Sequence, residues 1–420
     1  MRLYSTWHRA KVELPPPPGP IRMYFCGPTV YTRIHVGNAV PEVLSRWLKR
    51  WLELQGYETK LVINITDIND KIYDAAPGAS AQLAADATRW YLEDIRRLEL
   101  GEPDVQPTAA ETVADQIALI EQLIERGFAY QADGDVYYRV ARFSEYGKLS
   151  GQRMDQVAEQ EPNPRKEDQR DFALWKANKE GEDTWWDSPW GRGRPGWHIE
   201  CSAMSEKYLG TEFEIHGGGL DLVFPHHENE IAQSRALGHR FAKLWMHNGM
   251  LRFKGEEMHK SLGNDISLKT ALDQWGRATM LVFYLRGHWR KPLDYNEQTL
   301  RQAAATANSL REVFRNPSQP GGDWDEFAAA LEDDFNTAEA LAVMHGWRDH
   351  ELLGRALDVF GLASLAQEED APPDVVQLAE RRRQARAARD FDEADRLREE
   401  IEAAGWEARD GADGFQLVPK

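Results

Sequence analysis

The first 70 residues alternate between apolar strand-like runs and one amphipathic run, and this alternation restricts the fold more than any other feature. Residues 21–26 are apolar except for Arg22 and are followed by a Gly-Pro turn, as a strand leading into a loop would be. Apolar residues then recur at helical spacing from Val43 to Leu52, and a second strand-like run covers 60–65. This order predicts an open parallel α/β sheet, in which ligands bind beyond the carboxyl ends of the strands.

The remainder of the chain predicts an interrupted sheet followed by a helical tail. The predicted segments are a helical stretch over 80–125, a strand over 135–140, a polar irregular stretch over 150–195, a strand over 212–216 and a helix over 227–237. Beyond residue 300 the pattern is helical, with Pro/Gly breaks at 316–322 and 371–373 and an alternating strand or hairpin pattern over 405–420. The stretch 150–195 is therefore interpreted as an insertion between two halves of the sheet.

Length and composition predict a soluble chain of several domains. At 420 residues the chain is too long for one ordinary core, so about two to four domains are expected. Two cysteines in this length argue against a disulfide scaffold and for a reducing compartment. The start lacks the apolar core of a signal peptide, and no uninterrupted apolar run of membrane-spanning length follows. We therefore expect a cytoplasmic location and no membrane partner.

The charge distribution leaves a local nucleic-acid contact open. The formal net charge of −18 argues against general, non-specific binding of nucleic acid, but a basic face can exist on an acidic protein. A cluster of arginines without an intervening acid lies near the end of the chain, at Arg381, Arg382, Arg383, Arg386 and Arg389. Three of them share one helical face. This cluster is either a nucleic-acid contact or a solvated helix face.

Three separated segments suit different parts of ATP. His35-Val36-Gly37-Asn38 follows a predicted strand and opens a helix, where backbone N–H groups and the helix dipole favour a phosphate. The run 216–222 contains three glycines, among them Gly218, and ends near Asp221, which could hold a ribose. The Gly-flanked loop 255–264 carries one lysine, Lys260. Together the three segments predict a nucleotide site much more strongly than any one of them.

The two cysteines suggest a metal site. Cys26 ends the first strand, Cys201 lies near the middle, and the segment 224–230, rich in His and Glu, follows, with His226 placed 25 residues after Cys201. His226 and Glu230 are four positions apart at a helix start, so both side chains are expected on one face. The alternative is a pair of buried, inert thiols, as most lone cysteines in intracellular proteins are.

The sequence resembles the class I aminoacyl-tRNA synthetases, and among them the cysteinyl-tRNA synthetase family, over nearly its whole length. The segments that carry the resemblance are 26–31, 64–68, 146–150, 171–176, 196–201, 216–230, 245–249, 333–337 and 390–396. The resemblance implies a Rossmann-type α/β catalytic domain with a connective insertion, then a helical bundle and a small α/β anticodon-binding module. The implied bounds are 1–110 and 196–245 for the catalytic halves, 111–195 for the insertion, 246–305 for a stem-contact segment, 306–370 for the bundle and 371–420 for the module.

The resemblance also implies roles for individual residues. One zinc ion would be held by Cys26, Cys201, His226 and Glu230, a donor set that suits Zn²⁺ better than Mg²⁺ or Ca²⁺. His227 and Glu228 are expected to point away from the ion. The amino-acid pocket would include Gly27, Thr66 and Trp197. The ATP site would include His35, Gly37, Asn38, Gly218, Asp221 and Lys260, with His35, Asn38 and Lys260 acting on the phosphates.

The activity implied is ligation of L-cysteine to tRNA(Cys) at the expense of ATP, with Mg²⁺ accompanying the nucleotide. The cysteine carboxylate would attack the α-phosphorus, and the acyl group would then pass to the 3′-terminal adenosine of the tRNA. Zinc would distinguish cysteine from serine chemically, because it binds a thiolate well and a protonated hydroxyl poorly. A pocket that tests shape alone discriminates poorly between such similar groups. The family is also expected to be monomeric.

One segment departs from the family pattern. In the loop that carries Lys260, Glu257 replaces the usual first lysine and His259 replaces the usual first serine. A carboxylate near a polyphosphate is repulsive, so closure of this loop is expected to be weaker unless Lys254 or Arg252 substitutes. We expect that Lys260 alone suffices and that activity is retained. Two other functions remain open at this point. They are the related ligase that joins cysteine to an amino-sugar in mycothiol synthesis, and a non-catalytic paralogue that binds zinc and cysteine.

Overall fold

A computed structural model of the chain describes residues 1–153, 162–253, 256–257, 265–367, 371–411 and 414–419. Its strands are β1 (Arg2–Ser5), β2 (Ala10–Glu13), β3 (Pro20–Phe25), β4 (Glu58–Ile63), β5 (Ala129–Ala132), β6 (Asp135–Tyr138), β7 (Phe172–Ala177), β8 (Gly193–Pro195), β9 (Glu212–Gly219), β10 (Phe241–Asn248), β11 (Leu251–Phe253), β12 (Glu256–Glu257), β13 (Leu293–Tyr295), β14 (Trp406–Gly411) and β15 (Gly414–Pro419).

Its α-helices are α1 (Ala39–Leu54), α2 (Asp70–Ala75), α3 (Ser80–Arg96), α4 (Val113–Glu125), α5 (Trp197–Leu209), α6 (Glu228–Ala236), α7 (Leu268–Leu285), α8 (Glu297–Arg315), α9 (Trp324–Glu332), α10 (Thr337–His345), α11 (His350–Val359), α12 (Pro373–Ala387) and α13 (Phe391–Ala403). None of the helices within the described residues has the length and apolar character needed to cross a bilayer.

The central sheet is parallel and has the strand order β10-β9-β3-β4. Strand β3 lies between β9 and β4, so the loops that follow these three strands meet at one edge of the sheet. Ile21, Met23 and Phe25 alternate along β3 and are buried in the larger of the hydrophobic cores. The predicted open parallel α/β sheet is confirmed, and its carboxyl edge is where a ligand is expected.

The helix α1 connects the catalytic sheet to the helical region. Its apolar stripe buries Trp47 and Trp51, and both indole N–H groups donate hydrogen bonds across to the C-terminal helices. Trp47 donates to the carbonyl oxygen of Phe360 at 2.9 Å, and Trp51 donates to Glu332 at 2.9 Å. The sheet and the helical region therefore share one core.

The predicted helical stretch over 80–125 is wrong in its middle. Helix α3 ends at Arg96, and the chain then runs alongside β4, where the N–H of Ile63 donates to the carbonyl oxygen of Val105 at 3.1 Å. Gly101 has a φ of +85°, a conformation that favours glycine over residues with a Cβ. Helix α4 begins only at Val113.

The insertion forms its own antiparallel sheet, in the order β5-β6-β7-β8. It shares a buried hydrophobic cluster with the catalytic domain, and polar contacts add to this attachment. Lys176 lies 2.6 Å from the Asp70 carboxylate at the start of α2, and Arg194 pairs with the same carboxylate. From the other side, Glu228 accepts hydrogen bonds from the N–H groups of Gly147 and Ser150. Glu228 thus has a structural role and points away from the candidate metal centre, as predicted.

The last segment forms a small unit of α12, α13 and the β14–β15 hairpin around a separate core. Arg382, part of the predicted arginine cluster, is buried, and its guanidinium donates to both oxygens of Asp410 at 2.9 and 3.1 Å. Arg386 donates to the same carboxylate at 2.5 Å. These two arginines therefore bind α12 to the hairpin.

Strand β10 of the central sheet continues to Asn248, across the domain division predicted between residues 245 and 246.

Candidate metal centre and active site

Four buried side chains meet at the carboxyl end of β3. Cys26 directly follows the strand, and its N–H donates to the carbonyl oxygen of Gly217 in β9 at 3.0 Å. The other three, His226, His227 and Glu230, come from the start of α6 and the turn before it. Their ligand atoms and the Cys26 thiol all lie within 4.8 Å of one another. This cluster is a possible metal site.

The distances define the cluster more closely. The Glu230 Oε1 atom lies 3.1 Å from His226 Nε2 and 3.8 Å from Cys26 Sγ. The Cys201 thiol, buried on α5, lies 3.7 Å from the Cys26 thiol. Cys201 is not one of the four residues whose atoms are all mutually close, but its contact with Cys26 places it at the same centre. The structure thus brings together the four side chains that the sequence analysis assigned to zinc.

The expectation for His227 is wrong. Its Nε2 atom lies 3.3 Å from Cys26 Sγ and 3.9 Å from Glu230 Oε1, so the ring faces the centre. The cause is the turn before α6. Residues 223–227 form one wide turn in which Phe224 is extended, with φ −139° and ψ 133°, rather than a regular α-helical start. The simple four-residue helical spacing therefore does not separate His226 from His227.

Burial controls the protonation of these groups. It raises the pKa of the Cys26 thiol, which the neighbouring Cys201 and Glu230 raise further. It also raises the pKa of Glu230 to about 7, in spite of opposing contributions from His226 and Cys26. Burial lowers the pKa of His226 and of His227. A cluster of thiols and a carboxylate surrounded by neutral imidazoles is suited to a cation, and its sulfur and nitrogen donors suit Zn²⁺.

Three further histidines form hydrogen bonds with residues of this cluster. These contacts join His216 Nε2 to Glu230 Oε2 at 2.8 Å, His198 Nδ1 to His226 Nδ1 at 3.0 Å and His247 Nε2 to His227 Nδ1 at 2.7 Å. Such partners orient ligands and fix which imidazole nitrogen is available to a metal. No individual role is predicted from the sequence for His198, His216 or His247. In the sequence these histidines are dispersed, because they lie on different elements and approach the two cysteines only in the folded chain.

The predicted amino-acid contacts surround the same centre. The N–H of Gly27 donates to Asn64 Oδ1 at 2.9 Å, and Asn64 Nδ2 donates to Thr66 Oγ1 at 3.2 Å. A Cβ atom on Gly27 would lie 1.7 Å from the Asn64 carbonyl oxygen, so only glycine fits there. Trp197 stacks on the His226 ring, with 4.3 Å between centroids and 23° between planes. Trp197 and Gly27 therefore lie directly beside the candidate metal ligands His226 and Cys26.

One further acid lies in this region and was not predicted. Glu200 is fully buried, and neither of its carboxylate oxygens has a hydrogen-bond partner among the described residues. Burial raises the pKa of Glu200 well above its usual range, and the adjacent Cys201 and Asp67 raise it further, while Thr66 partly opposes the shift. Nothing in the sequence distinguishes this residue, because burial without a partner is a property of the tertiary structure.

The predicted nucleotide residues lie at the same edge of the sheet. His35 to Asn38 lead into α1, and the N–H of Gly37 donates to His35 Nδ1 at 3.1 Å. Gly218 ends the neighbouring strand β9, and Asp221 follows it in a short 3₁₀ turn. Because β3 and β9 are adjacent and parallel, both segments follow the carboxyl ends of the sheet. Lys260 and His259 lie outside the described residues, as does the side chain of Glu257.

Comparison with known proteins identifies the architecture. The family model described as "tRNA synthetases class I (C) catalytic domain" matches residues 15–305, and the DALR domain matches 326–350. The "Cysteine--tRNA ligase" of Anoxybacillus flavithermus is 42% identical, over 96% of this chain and 96% of that protein. That of Caldicellulosiruptor saccharolyticus is 39% identical over 99% of each chain. A structure of Mycobacterium tuberculosis methionyl-tRNA synthetase with methionyl-adenylate shares the fold, with a TM-score of 0.60, 15% identity and coverage of 83% and 86%.

Proposed function

The chain belongs to the cysteine–tRNA ligase family of class I aminoacyl-tRNA synthetases, and we propose that it selects its amino acid through a zinc ion held by Cys26, Cys201, His226 and Glu230. Its activity is the ATP-dependent attachment of cysteine to tRNA(Cys). The observation that carries the zinc proposal is the convergence of these buried side chains beside the predicted amino-acid pocket. One zinc per chain, in a monomeric cytoplasmic enzyme, is part of the proposal.

The chemistry of the donor set explains why a metal is useful here. When bound, Zn²⁺ lowers the pKa of a coordinating thiol and binds the resulting thiolate, whereas a serine hydroxyl stays protonated. The chain supplies the rest of the selection. Trp197, which stacks on His226, and the hydrogen-bonded segment from Gly27 through Asn64 to Thr66 would line the pocket. Serine is therefore rejected because its hydroxyl group is a poor metal ligand, and not because of its size.

The nucleotide would lie next to this pocket. His35 and Asn38, which precede α1, would contact phosphate oxygens, and Gly37 and Gly218 would allow close approach of the backbone. Asp221 would hold the ribose, Lys260 would contact the pyrophosphate, and Mg²⁺ would accompany ATP. Positioning and charge stabilisation account for the first step, because attack of the substrate carboxylate on the α-phosphorus needs no covalent enzyme intermediate.

The unusual loop calls for its own test. We propose that Lys260 suffices without a second lysine, so that Lys260→Ala abolishes cysteine-dependent ATP–pyrophosphate exchange. Glu257→Lys should leave the exchange rate within a few-fold of the original. A large gain in rate for Glu257→Lys would contradict the proposal, because it would show that the carboxylate impairs the native loop.

The zinc proposal is tested by discrimination between cysteine and serine. ATP–pyrophosphate exchange is measured with each amino acid, using zinc-loaded protein, the His226→Gln variant and His239→Gln as a control. His239 lies at the end of the same region but pairs with Glu206, away from the centre. We expect His226→Gln to lose cysteine-dependent exchange and His239→Gln to retain it. Retention of both exchange and the preference for cysteine by His226→Gln would contradict the proposal.

The product of the reaction distinguishes tRNA charging from the two other functions, an amino-sugar ligase and a non-catalytic paralogue. The relatives that match nearly the full length of both chains are cysteine–tRNA ligases. The match includes the small C-terminal unit, which has a core of its own. Charging of tRNA with cysteine is therefore expected. Exchange without charging would indicate an amino-sugar ligase, and zinc-dependent cysteine binding without exchange would indicate a non-catalytic paralogue.

A further inference from the structure

Glu200 is a buried acid that the mechanism above does not use. It lies on α5, and within the part of the chain that the structure describes neither carboxylate oxygen has a hydrogen bond of normal geometry or an ion pair, the Thr66 hydroxyl being the neighbour that favours its charged form. Its side chain is 0% exposed. An unpaired carboxyl group in such a position is costly, and buried acids are normally paired with a cation or a donor. A partner for Glu200 is therefore expected from outside the described residues.

Helical spacing places Glu200 on the substrate side of α5. Trp197, Glu200 and Cys201 occupy positions i, i+3 and i+4 of this helix, which share one face. Trp197 stacks on His226, and the Cys201 thiol contacts the Cys26 thiol. Both neighbours of Glu200 on this face thus belong to the wall of the pocket and to the candidate metal centre.

The groups that act on Glu200 from other elements include no cation. Thr66 and Asp67, which follow β4, and Cys201 on its own helix are the neighbours that influence it. Asp67 already accepts a hydrogen bond from the N–H of Ala110 at 2.9 Å. Among the described residues, the surroundings of Glu200 therefore combine a second acid, a hydroxyl and a thiol, and no basic side chain is among the groups that act on it.

We propose that Glu200 receives the α-ammonium group of the substrate cysteine. This inference rests on the proposed function, in which the substrate thiol lies at Cys26 and Cys201. In free cysteine the sulfur and the nitrogen are three bonds apart, so the ammonium group must lie within about 4 Å of the sulfur. A carboxylate one residue from Cys201 on the same helical face is suitably placed to accept its hydrogen bonds. The substrate carboxylate is then left to face the nucleotide.

The proposal is tested with two thiols that each lack one group of cysteine. Cysteamine has the amine without the carboxylate, and 3-mercaptopropionate has the carboxylate without the amine. Each is measured as an inhibitor of cysteine-dependent ATP–pyrophosphate exchange, with zinc-loaded full-length protein. The variants are Glu200→Gln, which keeps the shape, and Glu206→Gln on the same helix as a control. Zinc content and thermal unfolding are measured for each variant.

The expected result is selective for the amine. In the Glu200→Gln variant, cysteamine should bind about tenfold to a hundredfold more weakly, as expected for a lost charge-assisted hydrogen bond, and the KM for cysteine should rise in the same range. The inhibition constant of 3-mercaptopropionate and the zinc content should stay within about twofold of those of the unmodified protein. Glu206→Gln should change neither inhibition constant.

Several results would overturn the proposal. Equal weakening of both thiols, or no weakening of either, would show that Glu200 does not contact the amine. If Glu200→Gln does not fold, the unmodified protein still decides, because binding of 3-mercaptopropionate as tightly as cysteamine would exclude a dedicated ammonium site. Glu200→Asp provides the second variant, with partial retention of cysteamine binding expected. If neither thiol inhibits the unmodified protein, the zinc-based function and this inference both fail. If both thiols inhibit but cysteamine binds no more tightly than 3-mercaptopropionate, only this inference fails.

Discussion

The thiols of Cys26 and Cys201 lie 3.7 Å apart, although 175 positions separate the two residues in the sequence. One follows the central strand β3, and the other lies on the helix α5 that enters the site after the insertion. The insertion therefore interrupts the catalytic domain without separating the two halves of the candidate metal centre. Because the thiols meet only in the folded chain, the centre connects the two halves of the sheet.

The first prediction concerns Cys201. We expect Cys201→Ser to lower zinc affinity by more than a hundredfold, because it removes a thiolate ligand. Loss of a residue that only hydrogen-bonds to a ligand has a smaller effect. Affinity is measured by competition with a chromophoric chelator. Ala203→Ser, which introduces the same hydroxyl group at a buried position of α5, is the control and should keep its zinc. Unchanged affinity in Cys201→Ser would remove this residue from the ligand set.

A second prediction distinguishes His227 from the proposed ligands. His227 faces the centre but also contacts His247 at 2.7 Å, and the four proposed ligands leave open only the position that the substrate thiol is proposed to take. We therefore expect His227→Gln to lower zinc affinity by about tenfold to a hundredfold while one zinc per chain is still bound at saturation. The same chelator competition measures it. A loss as large as that of Cys201→Ser would make His227 a ligand.

The third prediction concerns Gly27. The Cβ atom of alanine at this position would lie 1.7 Å from the Asn64 carbonyl oxygen, so the backbone of the pocket must shift. We expect Gly27→Ala to destabilise the protein by about 1–3 kcal/mol and to raise the KM for cysteine. At Gly19 the corresponding atom would have 3.7 Å of space from the nearest atom, so Gly19→Ala is a matched control. Equal behaviour of the two variants in unfolding and exchange assays would contradict this account.

The fourth prediction concerns the contact between the catalytic sheet and the helical region. Trp51 is fully buried, packs on Phe327 with 6.0 Å between ring centroids and donates a hydrogen bond to Glu332. Trp51→Ala should lower the free energy of unfolding by about 3–5 kcal/mol. Trp185 is 36% exposed, so Trp185→Ala should cost less than about 1 kcal/mol. Chemical denaturation checks both values, and similar losses would show that the interface is not formed around Trp51.

Local patterns predicted much of the architecture and less of the site. The parallel sheet, α1 and the C-terminal hairpin follow from hydrophobic periodicity, which reports directly on one buried face. The stretch 97–112 did not, because its pairing with β4 is a tertiary contact that overrides an otherwise helical pattern. His227 was misplaced because a wide turn precedes α6, and Glu200 gave no signal because its lack of partners depends on what packs around it.

The central claim, that the substrate thiol itself binds the metal, is tested most directly by replacing zinc with Co²⁺ and recording the absorption spectrum. Cobalt reports each thiolate ligand through sulfur-to-metal charge-transfer absorption. We predict that this absorption increases when cysteine is added to the cobalt-loaded protein and does not change when serine is added. Identical spectra with cysteine, with serine and without an amino acid would contradict the account.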